Sequence, residues 1–444
     1  MKLTAHLGKI TWSLADKVLY VLYGFVQLWQ VNQLVALQPD ASNASMALMD
    51  LGAFSILVAV NTWIMIVSDG SALAGVIQFG VDANERRRVN AMALLIHVII
   101  VGVATFGVYL AGHPLADMVG DYRLGRVADI LPLYALVTIP RMFCLKLIYR
   151  DMRMKDLFVA DAIWFGVRTA LTWWFITNGT LTSFDSLVMI DIVGMGASSL
   201  ATIVLTRKEL VFGWSGGISL GTYLRYGVPL AMATALNSAP RQLDNLAIGV
   251  FFGTGVAGAF TPAKNLYRVF EQAYDAVSTL LYPAAVRMYA QRRMEDMQVL
   301  ITKAISVTLI PTIIAIVALE LGLSNIITVV LGPTYADAIA HFNVLILAGL
   351  GMPFLLMNSI IAAMGQSMAI VKYSALGLIA GACAFMFVVL MDQPLLVGVA
   401  LVTNTLVMGA LSVAHVRREI HFPIRAVARV IDDVRHVILR KRGS

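Results

Sequence analysis

The sequence predicts an all-α, polytopic membrane protein with about twelve transmembrane helices. Three observations carry that prediction: a composition that water does not accommodate, apolar runs of membrane-spanning length, and charge that alternates from one connector to the next. Of 444 residues, 59% are hydrophobic and only 13% are charged, where a soluble domain carries about 25%. The mean hydropathy is +0.80. A chain this apolar cannot hide its nonpolar surface in a water-soluble core, so the bilayer is its solvent. The formal charge of +7 does not indicate nucleic acid, because the Lys and Arg residues stand between apolar runs, where they set topology. Cys144 and Cys383 fall inside apolar runs. They read as small packing residues and exclude a disulfide framework.

A span takes about 20 mostly apolar residues. In chain order such runs occupy 12–36, 46–67, 90–111, 127–149, 157–178 and 186–206, then 226–249, 257–285, 299–321, 336–361, 369–391 and 395–416. The first lacks a small-residue cleavage site and is read as a retained span, not a signal peptide. The first and eighth are polar enough that hydropathy alone would miss them. A basic connector with Arg207, Lys208 and Arg225 separates the two sets of six. The expected organisation is a six-helix bundle at 1–206, a cytoplasmic connector at 207–225, a second six-helix bundle at 226–416 and a tail at 417–444.

Loop charge fixes orientation, since positively charged loops stay in the cytoplasm. One set of connectors holds Lys2 and Lys9; Arg86, Arg87 and Arg88; Arg150, Arg153 and Lys155; Arg207 and Lys208; Arg287, Arg292, Arg293 and Lys303; Lys372; and Arg417 and Arg418. The alternate set holds only Arg123 and Arg126. Both termini are therefore expected in the cytoplasm. In the tail, Val427, Val430, Ile431, Val434, Val437 and Ile438 recur at helical spacing among Arg425, Arg429, Arg435, Arg440, Lys441 and Arg442. That pattern predicts a basic amphipathic helix lying on anionic membrane lipids, with a solvated tail as the alternative.

Ionisable groups at membrane depth are costly and face a polar interior or a cavity. In the eighth span Lys264, Arg268, Glu271, Asp275, Ser278 and Tyr282 follow spacings that form one narrow helical stripe. The seventh span has Asn237, Arg241 and Asp244 beside Pro240, a residue that breaks a helix and frees a backbone carbonyl. The first has Asp16, Tyr20, Tyr23, Gln27 and Gln30 on one face. Two readings fit these stripes: a water-filled cavity, or ion pairs that lock helices together, Arg241 with Asp244 and Arg268 with Glu271. Arg168 with Asp161, and Arg141 with Lys146, form a further set expected to pair structurally within the first half. Gln30-Val31-Asn32-Gln33-Leu34 resembles Gln242-Leu243-Asp244-Asn245-Leu246, a weak sign of parallel internal repeats.

Some patterns carry no chemistry. Gly253-Thr-Gly255-Val-Ala-Gly258 matches a dinucleotide fingerprint but lies between two spans, with no strand before it, and reads as a glycine-rich turn. Gly377-Leu-Ile-Ala-Gly381 is a helix-packing pattern. His97 stands alone on an apolar span and reads as a satisfied interior histidine. The sequence holds no nucleotide loop, zinc-protease signature or nucleophile elbow, and no loop long enough for a catalytic domain. The expectation is therefore no catalytic residue, no cofactor, no metal and no nucleotide.

Several segments bear a family likeness. Leu243-Asp-Asn-Leu-Ala-Ile-Gly249 followed by Gly258-Ala-Phe-Thr-Pro-Ala-Lys264 resembles the start of the second half of polysaccharide-biosynthesis flippases, within the multidrug/oligosaccharidyl-lipid/polysaccharide exporter superfamily. Tyr282-Pro283 with the basic run to Arg293, Leu331-Gly-Pro-Thr-Tyr335-Ala-Asp-Ala338, and Ser68-Asp69-Gly70-Ser71-Ala72 are similar to further segments of that family. The chain departs from the pattern in a first span that carries Asp16 and Lys17. The resemblance implies two six-helix bundles flanking a central cavity lined by the first, second, seventh and eighth spans. It implies a flippase of the bacterial inner membrane whose partner is a polyprenyl-diphosphate-linked oligosaccharide, working with polysaccharide polymerase machinery. On that reading Arg241, Lys264 and Arg268 hold the diphosphate. Tyr20, Gln27, Gln30 and Asn237 meet sugar hydroxyls, and Glu271 and Asp244 couple an ion gradient. An ion-coupled multidrug antiporter of the same superfamily and an integral-membrane glycan polymerase or transferase are the competing readings.

The alternation of loop charge generates a direct test. Cysteines placed at Ser42, Thr180 and Gln393 are expected to react with an impermeant thiol reagent in intact cells, and cysteines at Ala83 and Met294 are not. Labelling of the second pair from outside refutes the twelve-span topology.

Overall fold

The computed structural model describes residues 3–38, 40–80, 82–323 and 336–420. Helices carry nearly all of this chain, as hydrocarbon demands of a backbone whose polar groups find no water. Eight helical stretches among the described residues are long and apolar enough to cross a membrane. They correspond to the second, third, fourth, sixth and ninth to twelfth expected spans. The first and eighth are absent from that set, as anticipated, and so are the fifth and seventh. All four carry charge inside the helix, yet each is a helix in the structure. The chain is a multi-pass membrane protein, and each of the twelve expected spans is helical in the structure, the seventh and tenth in shorter pieces.

Contacts divide the chain into Met1–Pro262 and Ala263–Ser444. The boundary expected from span order lay in the connector; the boundary drawn by contacts falls inside the eighth helix. In the first unit the helices run Leu3–Ala36, Ala41–Ser68, Arg86–Val119, Tyr122–Arg150, Met154–Thr177 and Phe184–Leu205. Side chains cap the N-termini of three of these helices. Asp40 accepts from the Asn43 amide at 2.8 Å, Asp121 from the Arg123 amide at 3.0 Å, and Ser183 with Ser186 forms a capping box.

The connector is shorter than expected, because the seventh helix begins at Leu220. Tyr223, placed in the connector by its neighbouring Arg225, is wholly buried and donates to the Ala72 carbonyl. The residues before it are pinned. Glu85 accepts from the Gly217 and Ile218 amides at 2.6 and 3.2 Å, and Arg88 donates to the Gly216 carbonyl at 2.7 Å. Asn90 donates to the Glu209 and Val211 carbonyls. Charged and amide side chains on the basic loop thus satisfy a strand-free backbone that would otherwise be unpaired.

The seventh helix runs Leu220–Gln242, breaks at Leu243, and resumes over Asp244–Phe252. The break follows Pro240 by three residues, as the missing amide of a proline predicts. After Gly253, at φ +89°, the eighth helix begins at Thr254. Of the motif read as a glycine-rich turn, only Gly253 is the turn; Gly255 and Gly258 are helical. Gly258 is needed where it crosses the second helix. A Cβ there would lie 1.9 Å from the Leu48 carbonyl oxygen, and one on Gly52 would lie 1.8 Å from the Thr254 carbonyl oxygen. Thr254 also donates to Asp121 at 2.5 Å.

The second unit continues the eighth helix to Ala290, followed by Met294–Ala318. The tenth span is a chain of short pieces, Ala336–Ile346, Leu347–Leu350, Met352–Leu355 and Met357–Ala363. Ser367–Leu390 and Val399–Glu419 close the fold. Leu281, Met297, Ile301, Leu356, Met357 and Ile360 form its apolar centre. The Gly377/Gly381 pattern packs helices as expected, with Gly381 against the Ala400 carbonyl and Gly377 against Asn404. The tail after residue 420 and the segment 331–335 lie outside the described residues.

The Gly52–Gly258 crossing predicts a steep size limit. Gly52→Val should force two backbones apart, costing about 1–3 kcal/mol or more. The expected outcome is a lower melting temperature of the purified protein in detergent, whereas the exposed Gly102→Ala, with open space around it, should melt as wild type.

Candidate functional site

The polar groups of the first unit meet inside its bundle. Arg168 on the fifth helix pairs with Asp191 on the sixth at 2.5 Å, and Tyr134 on the fourth donates to the same carboxylate. Arg168 also lies over the Tyr23 ring at 4.8 Å and near the Trp164 ring at 5.3 Å. About two helical turns away along the same helices, seven residues on, Arg141 pairs with Asp161 and donates to Ser198 at 2.9 Å. Trp164 covers its guanidinium face at 4.5 Å. Lys146 pairs with Asp69 at 2.8 Å. Structural pairing within the first half was expected of these residues, and the structure shows it. One partner differs: Arg168 takes Asp191, and Asp161 takes Arg141. The reason is position, since Asp161 and Arg168 share a helix whereas Asp191 faces Arg168 from the next one.

Asp69 belongs to a wide helical turn, Asp69–Leu73, that links Ala41–Ser68 to Ala74–Phe79. Such π turns are found mostly at functional positions. Gly227 of the seventh helix packs against it so closely that a Cβ would lie 2.0 Å from the Ser71 carbonyl oxygen. His97 is fully buried, and its Nδ1 bonds Ser68 Oγ at 2.6 Å just before this turn.

The first-helix stripe meets these same groups. Asp16 is buried beside Asp161 and Arg141. Tyr20 packs edge-on against Phe165 at 5.9 Å, and Tyr23 stacks on that ring at 4.5 Å. Gln30 is buried and Gln27 half-buried. On the seventh helix Asn237 is exposed, while Arg241 and Asp244 are half-buried on the two sides of the break.

In the second unit the eighth-helix stripe runs from closed to open. Lys264 is 7% exposed. Arg268 and Glu271 are half-buried, and Asp275 and Tyr282 are exposed. Arg268 donates to Asn265 at 3.2 Å, and Ser278 exchanges a hydrogen bond with Ser359 at 2.9 Å. Among the described residues, no cluster of His, Cys, Asp and Glu has the makings of a metal site.

Sequence reasoning overlooked Asp191, Asp50 and Tyr134. Asp50 accepts from Arg123 at 2.7 Å and from the Phe184 amide at 3.0 Å, tying the second helix to the starts of the fourth and sixth. The signal for Asp191 was present: a single carboxylate between Ile190 and Ile192 in an otherwise apolar span implies a buried cation nearby.

The model of a family described as polysaccharide biosynthesis protein matches residues 48–340. No curated protein matches the chain. Among solved structures, the lipid II flippase MurJ in an inward closed conformation is similar with a TM-score of 0.72 at 12% identity, covering 95% of this chain and 90% of that one. A multidrug resistance MATE family transporter of the MOP superfamily, inward-facing, has a TM-score of 0.66 at 14% identity, covering 92% and 96%. A MOP superfamily transporter from Pyrococcus furiosus has a TM-score of 0.60 at 14% identity, covering 93% and 96%. These likenesses establish a shared fold.

The Arg168–Asp191 pair yields a prediction about stability. Removing one partner strands the other charge in an apolar interior, at a cost of about 3–5 kcal/mol. Arg168→Leu and Asp191→Leu should each sharply lower the yield of folded protein by size-exclusion chromatography, and the double variant should recover much of it. A double variant as poor as the singles contradicts the pairing.

Proposed function

We propose that this chain, which belongs to the polysaccharide biosynthesis protein family, flips a polyprenyl-diphosphate-linked oligosaccharide across the bacterial inner membrane for cell-surface polysaccharide synthesis. The observation that carries the reading is the family match over residues 48–340, on a chain with the fold of MOP-superfamily transporters. The physical need is plain: a sugar and diphosphate head group does not cross about 30 Å of hydrocarbon unaided. Alternating access carries the head group while the lipid tail stays in the bilayer.

In this reading Lys264 and Arg268 bind the diphosphate, because a cationic stripe at membrane depth suits a dianion. Arg241 is a further phosphate ligand. Asn237, Tyr20, Gln27 and Gln30 meet sugar hydroxyls. Glu271 and Asp244 serve coupling: a diphosphate that competes for the neighbouring arginine raises the proton affinity of the carboxylate, linking substrate to proton. Both termini lie in the cytoplasm, and polysaccharide polymerase machinery consumes the flipped product. The fold shared with multidrug resistance transporters supports the second reading, an ion-coupled antiporter of small molecules.

Deleting the protein should make lipid-linked oligosaccharide accumulate on the cytoplasmic face. Lys264→Ala and Arg268→Ala should abolish export at unchanged protein level, while Lys264→Arg keeps part of it. Alanine variants that fold and export normally would remove these residues from the diphosphate site. No accumulation on deletion, with loss of small-molecule efflux instead, favours the antiporter.

A further inference from the structure

We propose that the connector between the sixth and seventh helices is a lipid-docking surface, with Trp214 seated in the bilayer interface and Arg87, Arg207 and Lys208 set against the phosphates of anionic phospholipids. This goes beyond the flippase reading and does not depend on it, since every group involved lies within the first unit.

The connector covers 206–219, between Phe184–Leu205 and Leu220–Gln242. It joins two membrane helices at their ends, so it lies where hydrocarbon gives way to head groups. Its own apolar side chains anchor it. Leu210 and Ile218 pack on the buried cluster that holds Leu73, Val89 and Leu147, and Phe212 stacks on Phe143 with ring centres 6.0 Å apart. The backbone is pinned as well. Arg88 donates to the Trp214 and Gly216 carbonyls at 3.3 and 2.7 Å, and the Gly213 amide donates to the Arg87 carbonyl at 3.2 Å. A loop fixed on both sides of Trp214 presents that residue in one place, so little order remains to be lost on docking.

Trp214 is 64% exposed. The residues that follow it, Ser215, Gly216 and Gly217, are exposed and carry no apolar side chain. An indole has an apolar body and one N–H donor, and such rings concentrate at head-group level in membrane proteins. The apolar centre of a protein interface draws on several such side chains packed together, so lipid is the occupant this surface fits.

The charges around it complement a phosphate surface. Arg87, Arg207 and Lys208 are exposed, and none of them is in an ion pair among the described residues. Arg87 lies against the connector just before Trp214: a Cβ on Gly213 would lie 3.5 Å from the Arg87 Cβ. The acids that could oppose an anion here are taken up. Glu85 holds the Gly217 and Ile218 amides, Glu209 meets Arg153 at 2.9 Å, and Asp82 accepts from the Asn84 amide at 3.0 Å. Loop charge places this face in the cytoplasm, and the cytoplasmic leaflet is the one that carries anionic lipids. Cations held within a Debye length of that surface attract them.

The test uses the purified full chain in nanodiscs of phosphatidylcholine with or without phosphatidylglycerol. The first reading is quenching of tryptophan fluorescence by phospholipids brominated near the head group. The fluorescence component lost in Trp214→Phe is expected to be quenched by these lipids, and its insensitivity to them overturns the seating of Trp214. The second reading is native mass spectrometry of protein released from the mixed discs. Bound phosphatidylglycerol is expected to exceed phosphatidylcholine, and to fall about fivefold for each charge removed in Arg87→Gln, Arg207→Gln and Lys208→Gln. Arg293→Gln, whose exposed charge is paired with Asp296, should leave it unchanged. Equal retention of the two lipids, or retention unchanged in the triple variant, overturns the proposal. Arg87→Lys combined with Arg207→Lys keeps the charge and should keep the lipid, which separates lost charge from lost fold; loss of lipid in that well-folded variant also counts against the proposal. A co-purifying protein that shields Trp214, with no lipid retained, overturns the choice of lipid as occupant. No oligosaccharide enters either measurement, so failure here is distinct from failure of the flippase reading.

Discussion

A charge placed in hydrocarbon must meet an opposite charge, a dense set of hydrogen bonds, or water, and this constraint organises the first unit. Arg168 and Asp191 meet it by pairing, with Tyr134 closing the pair and aromatic rings roofing it. Arg141 and Asp161 satisfy it with help from Ser198 and Trp164. Trp164 lies against both guanidinium groups, so a single side chain fixes the spacing between two ion pairs. Helices that carry such groups cannot slide or rotate without exposing one of them to lipid. Buried pairs of this kind contribute little net stability compared with apolar packing, yet breaking one is expensive. Their effect is to fix which faces meet.

Close backbone approach supplies the complementary constraint. Where the second helix meets the seventh and the start of the eighth, side chains are nearly absent: Gly227 abuts Ser71, and Gly52 abuts Thr254 and Gly258. Dispersion and carbonyl contacts replace side-chain interlock there. The second helix is therefore held at both of its ends by different chemistry, with a wide turn at Asp69–Leu73 near one contact and the Asp121–Thr254 hydrogen bond near the other.

The fold was legible because its signals are one-dimensional. Apolar length and loop charge depend only on order along the chain, and together they place a helix at each of the twelve expected positions. Boundaries failed where a side chain reached into the core from a polar neighbourhood. Tyr223 sits beside Arg225 yet is buried by its bond to Ala72, so the connector ends earlier than its charge implies. Partnership across helices was only half legible. Spacing told that Arg141, Arg168 and Lys146 needed partners, but nothing in spacing distinguishes Asp161 from Asp191 as the mate of Arg168. The first-helix stripe shows the same limit. Periodicity grouped Asp16, Tyr20 and Tyr23 on one face without saying what that face meets, and the structure sets it against Asp161 and Phe165. The eighth-helix stripe was legible as a stripe, and its gradient from buried Lys264 to exposed Tyr282 was not.

Charge counting gives the two halves of the chain different characters. In the first unit the interior guanidinium groups of Arg141 and Arg168 each have a carboxylate in contact. On the eighth helix the order of charges along the stripe is cation, cation, acid, acid, and the first cation is the most buried. Under the proposed flippase function, a dianion that reaches Lys264 and Arg268, four residues apart, gains two charge-assisted contacts along one helix face. Within the first unit the second helix carries both kinds of contact, since Lys146 pairs with Asp69 just past its end while Gly52 bears on the start of the eighth helix.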